Sequence, residues 1–236
     1  MAIELPSVVA KLLNAIGIPW INVNEDTVRD FATHVRTFGS DVSNAHGDAT
    51  ATLTALGSSY QGAAYEALMK MWGDKSTTHI NDLVEGCDVL ATALDAAADC
   101  IVTEKMACIG ELIGMAVAFF ADEAAAAVTF GLSELALPAI EFGARKLVEA
   151  LEQQLEQYIV GQVMNAAMQP LMSKIDSLVE GLVFGGGGGG GSTGSSYEVH
   201  FGELSTQASA MQGHADTIRS TVTNFTSNVS GLDFTS

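Results

Sequence analysis

The chain of 236 residues sets 28 acidic against 10 basic side chains, so its formal charge is 10 minus 28, or −18. That excludes a nucleic-acid binder, because phosphate recognition depends on Lys and Arg displacing counterions, and the one adjacent basic pair, Arg145 and Lys146, reads as helix surface. At 48% hydrophobic and 16% charged, the chain has apolar material for one large or two small domains, while its poverty in aromatics (7%) and wealth of Ala, Leu, Val, Ile and Met favour helix over sheet.

In chain order, Leu5 to Ile16 reads as a short helix, with Pro6 suited to its first turn and Gly17 to its end. Glu4 comes early, and neither a basic leader nor a small-residue cleavage site accompanies this stretch, so no cleaved signal peptide is expected. Pro19 and Trp20 turn the chain. After the acidic start Asn24-Glu25-Asp26, apolar residues recur in steps of three and four at Val28, Phe31, Val35, Phe38, Val42, Ala45, Ala49, Leu53 and Leu56. This spacing predicts a long amphipathic helix whose seam can pack in coiled-coil fashion. Gly57 to Gly62 interrupts it, and a second periodic stretch runs through Leu68, Met71 and Trp72 to Leu83, Cys87, Leu90, Leu94, Ala97 and Ile101. Two long helices joined by a short Gly-bearing turn make an antiparallel hairpin, in which Trp72, Val28, Phe31, Val35 and Phe38 are expected to be packing residues.

From about Ile101 to Phe130 the chain is apolar on nearly all sides, which predicts a helix buried between others. Its uncharged runs, Leu112 to Ala121 and Ala124 to Ser133, are about half the length that crosses a bilayer. Gly131 and Ser133 offer a stop and a fresh cap before Leu135 to Phe184, where Pro138 and Pro170 are expected to kink the helix. Gly185 to Gly191, followed by Ser and Thr, reads as a flexible tether. The expected organisation is therefore a helical body over 1–184, a linker over 185–196 and a C-terminal helix over 197–236. That last helix carries a heptad seam at Phe201, Leu204, Ala208, Met211, Ala215, Ile218, Val222, Phe225, Val229 and Leu232. Its other positions are mainly Ser, Thr, Gln and Asn, indifferent helix formers that call for a partner surface. Docking near Val28 to Leu56 is expected, with Ile218, Val222 and Phe225 as central contacts. The predicted fold class is all-α: an elongated helical bundle built on a long antiparallel hairpin, with additional Ala-rich helices.

Chemistry-bearing constellations are sparse. No two of the five histidines lie three or four apart, so no helical metal site is predicted. Cys87, Cys100 and Cys108 form no disulfide framework; on one helix they would sit roughly 20 and 12 Å apart, beyond bridging distance. The glycine run lacks the Lys-Ser/Thr of a phosphate loop. No catalytic residue, cofactor or metal is expected. A membrane-active helical protein is the second reading, because Gly110, Gly114, Gly131, Gly143, Gly161 and Gly181 punctuate Ala-rich helices that could pack closely in lipid. Glu104, Glu111, Asp122 and Glu123 weigh against it.

At the hairpin the sequence resembles the substrates of type VII (ESX) secretion, whose protomers are two helices joined by a Trp-x-Gly turn. The matching triplet is Tyr60-Gln61-Gly62, with Tyr where Trp is usual. The wider context of Pro19-Trp20, Asn24-Glu25-Asp26, Ala63-Ala64-Tyr65 and Glu104-Lys105 before an Ala-rich stretch is similar to the N-terminal domain of large actinobacterial toxins of the CpnT type, over roughly Leu5 to Phe184. The resemblance implies a secreted, non-catalytic module that pairs with a small WXG-type protein or with itself, meets the secretion apparatus through the hairpin tip, and accompanies a C-terminal toxin domain outside this chain. One departure stands out. The Tyr-x-x-x-Asp/Glu signal of such substrates is missing, since Tyr60, Tyr65, Tyr158 and Tyr197 are followed four places on by Ala64, Met69, Gln162 and Phe201. The resemblance then puts the signal on a partner chain or outside this stretch.

Overall fold

The computed structural model describes residues 3–58, 60–126, 136–174 and 201–234. Helix α1 spans Ser7–Ile16, α2 Glu25–Leu56, α3 Ala63–Met71, α4 Thr78–Ala126, α5 Ala136–Tyr158 and α6 Phe201–Ser230, and the described residues contain no strand. The protein is all-α. A π-helical stretch, Trp72–Thr77, joins α3 to α4, so the second arm of the hairpin is helical without a break from Ala63. A second π-helical stretch, Ile159–Met168, follows α5 and leads into a further helical turn at 169–174.

The local chemistry explains the helix ends. Helix α1 starts directly after Pro6, whose carbonyl accepts from the Ala10 N–H. It ends at Gly17, where φ is 69° and the N–H groups of Gly17 and Ile18 reach back to Asn14 and Leu13. Glycine meets that left-handed turn without a Cβ penalty. Helix α2 is capped by Asn24, whose side-chain oxygen accepts from the N–H groups of Asp26 (3.0 Å) and Thr27 (3.2 Å). Pro138 lies in the first turn of α5, where a missing N–H is harmless. Pro170 comes two residues after Met168, the last of the second π-helical stretch. An i→i+5 turn is wider than an α-turn and accommodates a ring that would otherwise strike the carbonyl four residues back.

The chain forms two compact units. One consists of Met1–Asp30, Ala93–Met164 and Asp233–Ser236, the other of Phe31–Thr92 and Asn165–Leu232. In the first, Val9, Leu12 and Leu13 of α1, Ile101, Ile109 and Leu112 of α4, and Val148, Leu151 and Leu155 of α5 are buried. In the second, Val35, Val42, Ala45, Ala49, Leu53 and Leu56 of α2 and Cys87, Leu90 and Ala91 of α4 are buried, with Leu171 against Gly86. Many core positions are Ala, and a Cβ on Gly39 would lie 3.1 Å from that of Cys87, so α2 and α4 approach closely there.

Two expectations are corrected. Helix α4 is not buried all round beyond Ile101: Met106 (56%), Ile113 (38%) and Val117 (60%) are exposed on one face, while Cys108, Ile109, Leu112 and Ala116 supply its buried one. Met71, expected in the second seam, is 51% exposed, since the π-helical stretch that begins at Trp72 shifts the phase of the arm. The expected stop at Gly131 and Ser133, the segment 175–184 and the glycine tether lie outside the described residues.

Candidate interaction site

Three places on the chain carry more than packing. The first is the hairpin tip. Helix α2 unwinds through i→i+3 bonds from the N–H groups of Gly57 and Ser58 to Thr54 and Ala55, and the Tyr60 N–H closes on the Leu56 carbonyl at 2.9 Å. Gly62 sits at φ 134°, a conformation other residues rarely take, and its carbonyl accepts from Glu66 in the first turn of α3. Tyr65 reaches back across the tip to donate to the Leu53 carbonyl at 3.2 Å. The sequence-predicted triplet therefore forms the turn itself, with Gln61 exposed and Tyr60 half-buried.

The second is the arm below the tip. The half-buried Trp72 stacks on His46 with ring centroids 5.1 Å apart and planes at 15°, and its indole N–H donates to the Thr50 hydroxyl at 2.9 Å. Thr50 donates in turn to the His46 carbonyl. The π-helical stretch places the hydroxyls of Ser76 and Thr77 each 3.4 Å from an imidazole nitrogen of His46. Burial holds the His46 imidazole below its ordinary pKa. Helix α6 packs on the same unit's part of α2: Phe225 meets Phe38 at 4.8 Å between centroids, and the His214 Nε2 pairs with the Thr52 hydroxyl at 2.9 Å. Because Thr52 donates its own proton to the Asp48 carbonyl, His214 is the donor here. Leu204 and Met211 with Leu53 and Leu56 line a small apolar recess.

Of the three residues expected at the centre of that contact, Ile218 and Phe225 are half-buried, while Val222 is 46% exposed and Thr221 takes the buried place. The helix is turned so that Leu204, Met211, Ile218 and Phe225 keep the expected seam, but their companions are Gln207, His214 and Thr221 instead of Ala208, Ala215 and Val222. Two of the displaced residues are alanines, whose burial yields little, whereas His214 gains a hydrogen bond. Val28 and Val35 are buried and Phe31 and Phe38 half-buried, as packing residues of α2.

The third was not foreseen. Lys105 and Glu25 form a fully buried ion pair at 2.9 Å. Lys105 also donates to the Val23 carbonyl, and the Ile3 N–H donates to the other Glu25 oxygen. Burial by itself would raise the Glu25 pKa; the hydrogen bonds from Lys105 and Ile3 and the Lys105 charge outweigh it and hold the carboxyl below its ordinary value. Beside this pair the Asn24 N–H donates to the Phe234 carbonyl at 2.9 Å and the Thr27 hydroxyl to the Asp233 carbonyl at 2.7 Å. The only hint in the sequence is a Lys at the start of a nearly uncharged helical stretch, 80 residues from its partner.

Among the described residues no group of His, Cys, Asp and Glu is arranged to hold a metal. Burial, with Asp88 and Glu111 adding to it, pushes the Cys87 and Cys108 thiols up to about 11. Thiols so placed are poor nucleophiles.

A helical hairpin closed by a Gly turn defines a class before it defines a protein. The family model of the WXG100-like domain matches residues 2–145, more than half of the chain, and the chain belongs to that family. Helical proteins of type VII secretion make up this family, and its members commonly pair through helices. No curated protein and no solved structure matches the chain.

Proposed function

We propose that this chain is the non-catalytic leading module of a type VII secreted, toxin-like protein. It works by helix-to-helix contact with a small WXG-type partner or a second copy, and it accompanies a toxin domain outside this chain to the secretion apparatus. Membership of the WXG100-like family over residues 2–145 carries the reading. The exposed Gln61 and the half-buried Tyr60 at the tip supply a surface for the apparatus or the partner.

The test is export of Tyr60→Ala and Gly62→Ala chains. Both are expected to stay helical by circular dichroism and to remain inside the cell. Normal export of both folded variants would remove the tip from the pathway, and loss of export with loss of helix would make the triplet a structural turn only.

The exposed face of Met106, Ile113 and Val117 favours a second reading, a membrane-active helical protein. Among the described residues no helix is long and apolar enough to cross a membrane. Leakage from liposomes at neutral and acidic pH separates the two: a trafficking module leaves them sealed.

A further inference from the structure

Within the first unit, α4 and α5 leave a groove between them that no described side chain fills. Along α4 its wall is formed by Cys100, Glu104, Ala107 and Glu111, and along α5 by Ala150, Gln154 and Gln157. The spacing on α4 is that of a helix-packing seam, in which small residues alternate with glutamates at steps of four and three. Gly114 continues it, and a Cβ there would meet nothing within 4 Å. Among the described residues the only charged groups lining the groove are Glu104 and Glu111. They lie seven residues apart, two turns or about 10 Å along one face.

The geometry points to this groove as the docking site for one helix of a separate protein, a helix with two Lys or Arg residues seven apart and a stripe of small apolar residues between them. Charge complementarity selects the occupant. The cations meet Glu104 and Glu111, the small residues lie over Ala107 and Ala150, and the amides of Gln154 and Gln157 take up polar groups along the other edge. A second copy of this chain does not fit, because its only basic residues seven apart are Arg29 and Arg36, and Arg29 is engaged with Asp99 at 2.7 Å. Anionic lipid is repelled by the same carboxylates. The inference rests on the reading of the chain as a helix-pairing module and adds to it where the partner sits and what charge it carries.

The probe is a labelled Ala/Leu helical peptide with two Lys seven apart, titrated into the purified full chain by fluorescence anisotropy. Its control is an isomer of the same composition with the two Lys five apart, on opposite faces of the helix. The first peptide is expected to bind about ten-fold more tightly than the isomer, the sum of two partly exposed ion pairs. Glu104→Gln/Glu111→Gln should erase the difference without altering the melting temperature. Glu104→Lys/Glu111→Lys should restore it for a peptide with Glu in place of Lys. Equal binding of the two isomers to the unaltered chain overturns the inference, and that comparison needs no variant to fold. Failure here with Tyr60→Ala still blocking export would remove the groove and leave the trafficking reading in place; groove binding with normal export of the tip variants would do the reverse.

Discussion

Around the first turn of α2 the stabilising groups are charges and backbone amides sealed from water, whereas from Phe38 onward the contacts with α6 are hydroxyls, an imidazole and half-exposed rings. The first arrangement is close to all-or-none. Glu25 and Lys105 are each fully buried, so neither can lose the other without leaving a bare charge in the core. The second is incremental, since solvent can replace the His214 bond to Thr52 and the Phe38 to Phe225 contact is only partly desolvated. One long helix thus has an end that specifies its register and an end that can let its companion go.

The sharpest way to break the contrast is Lys105→Met, expected to cost about 3–5 kcal/mol and read as a large fall in melting temperature. Adding Glu25→Leu should recover most of that loss, because replacing both members of a buried pair is often neutral. A double variant as weak as the single one would show that the hydrogen bonds to Val23 and Ile3, and not the charges, hold the region. The pair also gives a pH signature. The folded pKa of Glu25 lies below its value in the unfolded chain, so its contribution is full above about pH 4.5 and drains away as pH falls through the lowered folded value. The double variant should lack this acid step in a plot of melting temperature against pH.

At the α6 end, Phe225→Ala is expected to cost about 2 kcal/mol. Val222→Ala should stay within about 0.5 kcal/mol, since that side chain is exposed. Equal effects would mean that α6 is rotated back onto the seam the sequence suggests. His46 makes a smaller mark. Its folded pKa is depressed, so stability should decline as pH drops from about 6.5 through the folded value, and His46→Phe should flatten that part of the profile. The smallest expected effects are in the backbone: Gly62→Ala costs about 1 kcal/mol at φ 134°, while Gly47→Ala, in open space on α2, gains about 0.5–1 kcal/mol. Chemical denaturation resolves both.

These two ends also differ in how far they could be read from sequence. The α2 seam from Val28 to Leu56 was legible because large apolar residues at a fixed period leave one face to bury, and it is buried or half-buried throughout. The hairpin and its turn at Tyr60-Gln61-Gly62 followed from the break in that period. On α6 the period allowed two neighbouring stripes that share Leu204, Met211, Ile218 and Phe225, and only the partner's surface decides between them. Sequence spacing favoured the alanines; Thr52 favoured His214. Pairing of Glu25 with Lys105 was illegible for another reason. A lone Lys in an apolar helix has the same local pattern whether it reaches water or a carboxylate on another helix, and the distance along the chain hides the partner. The π-helical stretches leave no periodic signature short enough to recognise.

The hydrogen bonds from Asn24 and Thr27 to the carbonyls of Phe234 and Asp233 have a consequence for the order in which this unit can assemble. The unit that contains α1 and the start of α2 also needs residues 233–234, and Asp233 leaves the ribosome 206 residues after Thr27. The hairpin between α2 and α4 can form while synthesis continues, because its contacts are near in sequence. The start of α2 must wait with its buried cap open to solvent. Nascent chains stalled before residue 233 should therefore expose the Asn24 amide to hydrogen exchange, and chains in which residue 234 has cleared the ribosome should protect it at a stroke.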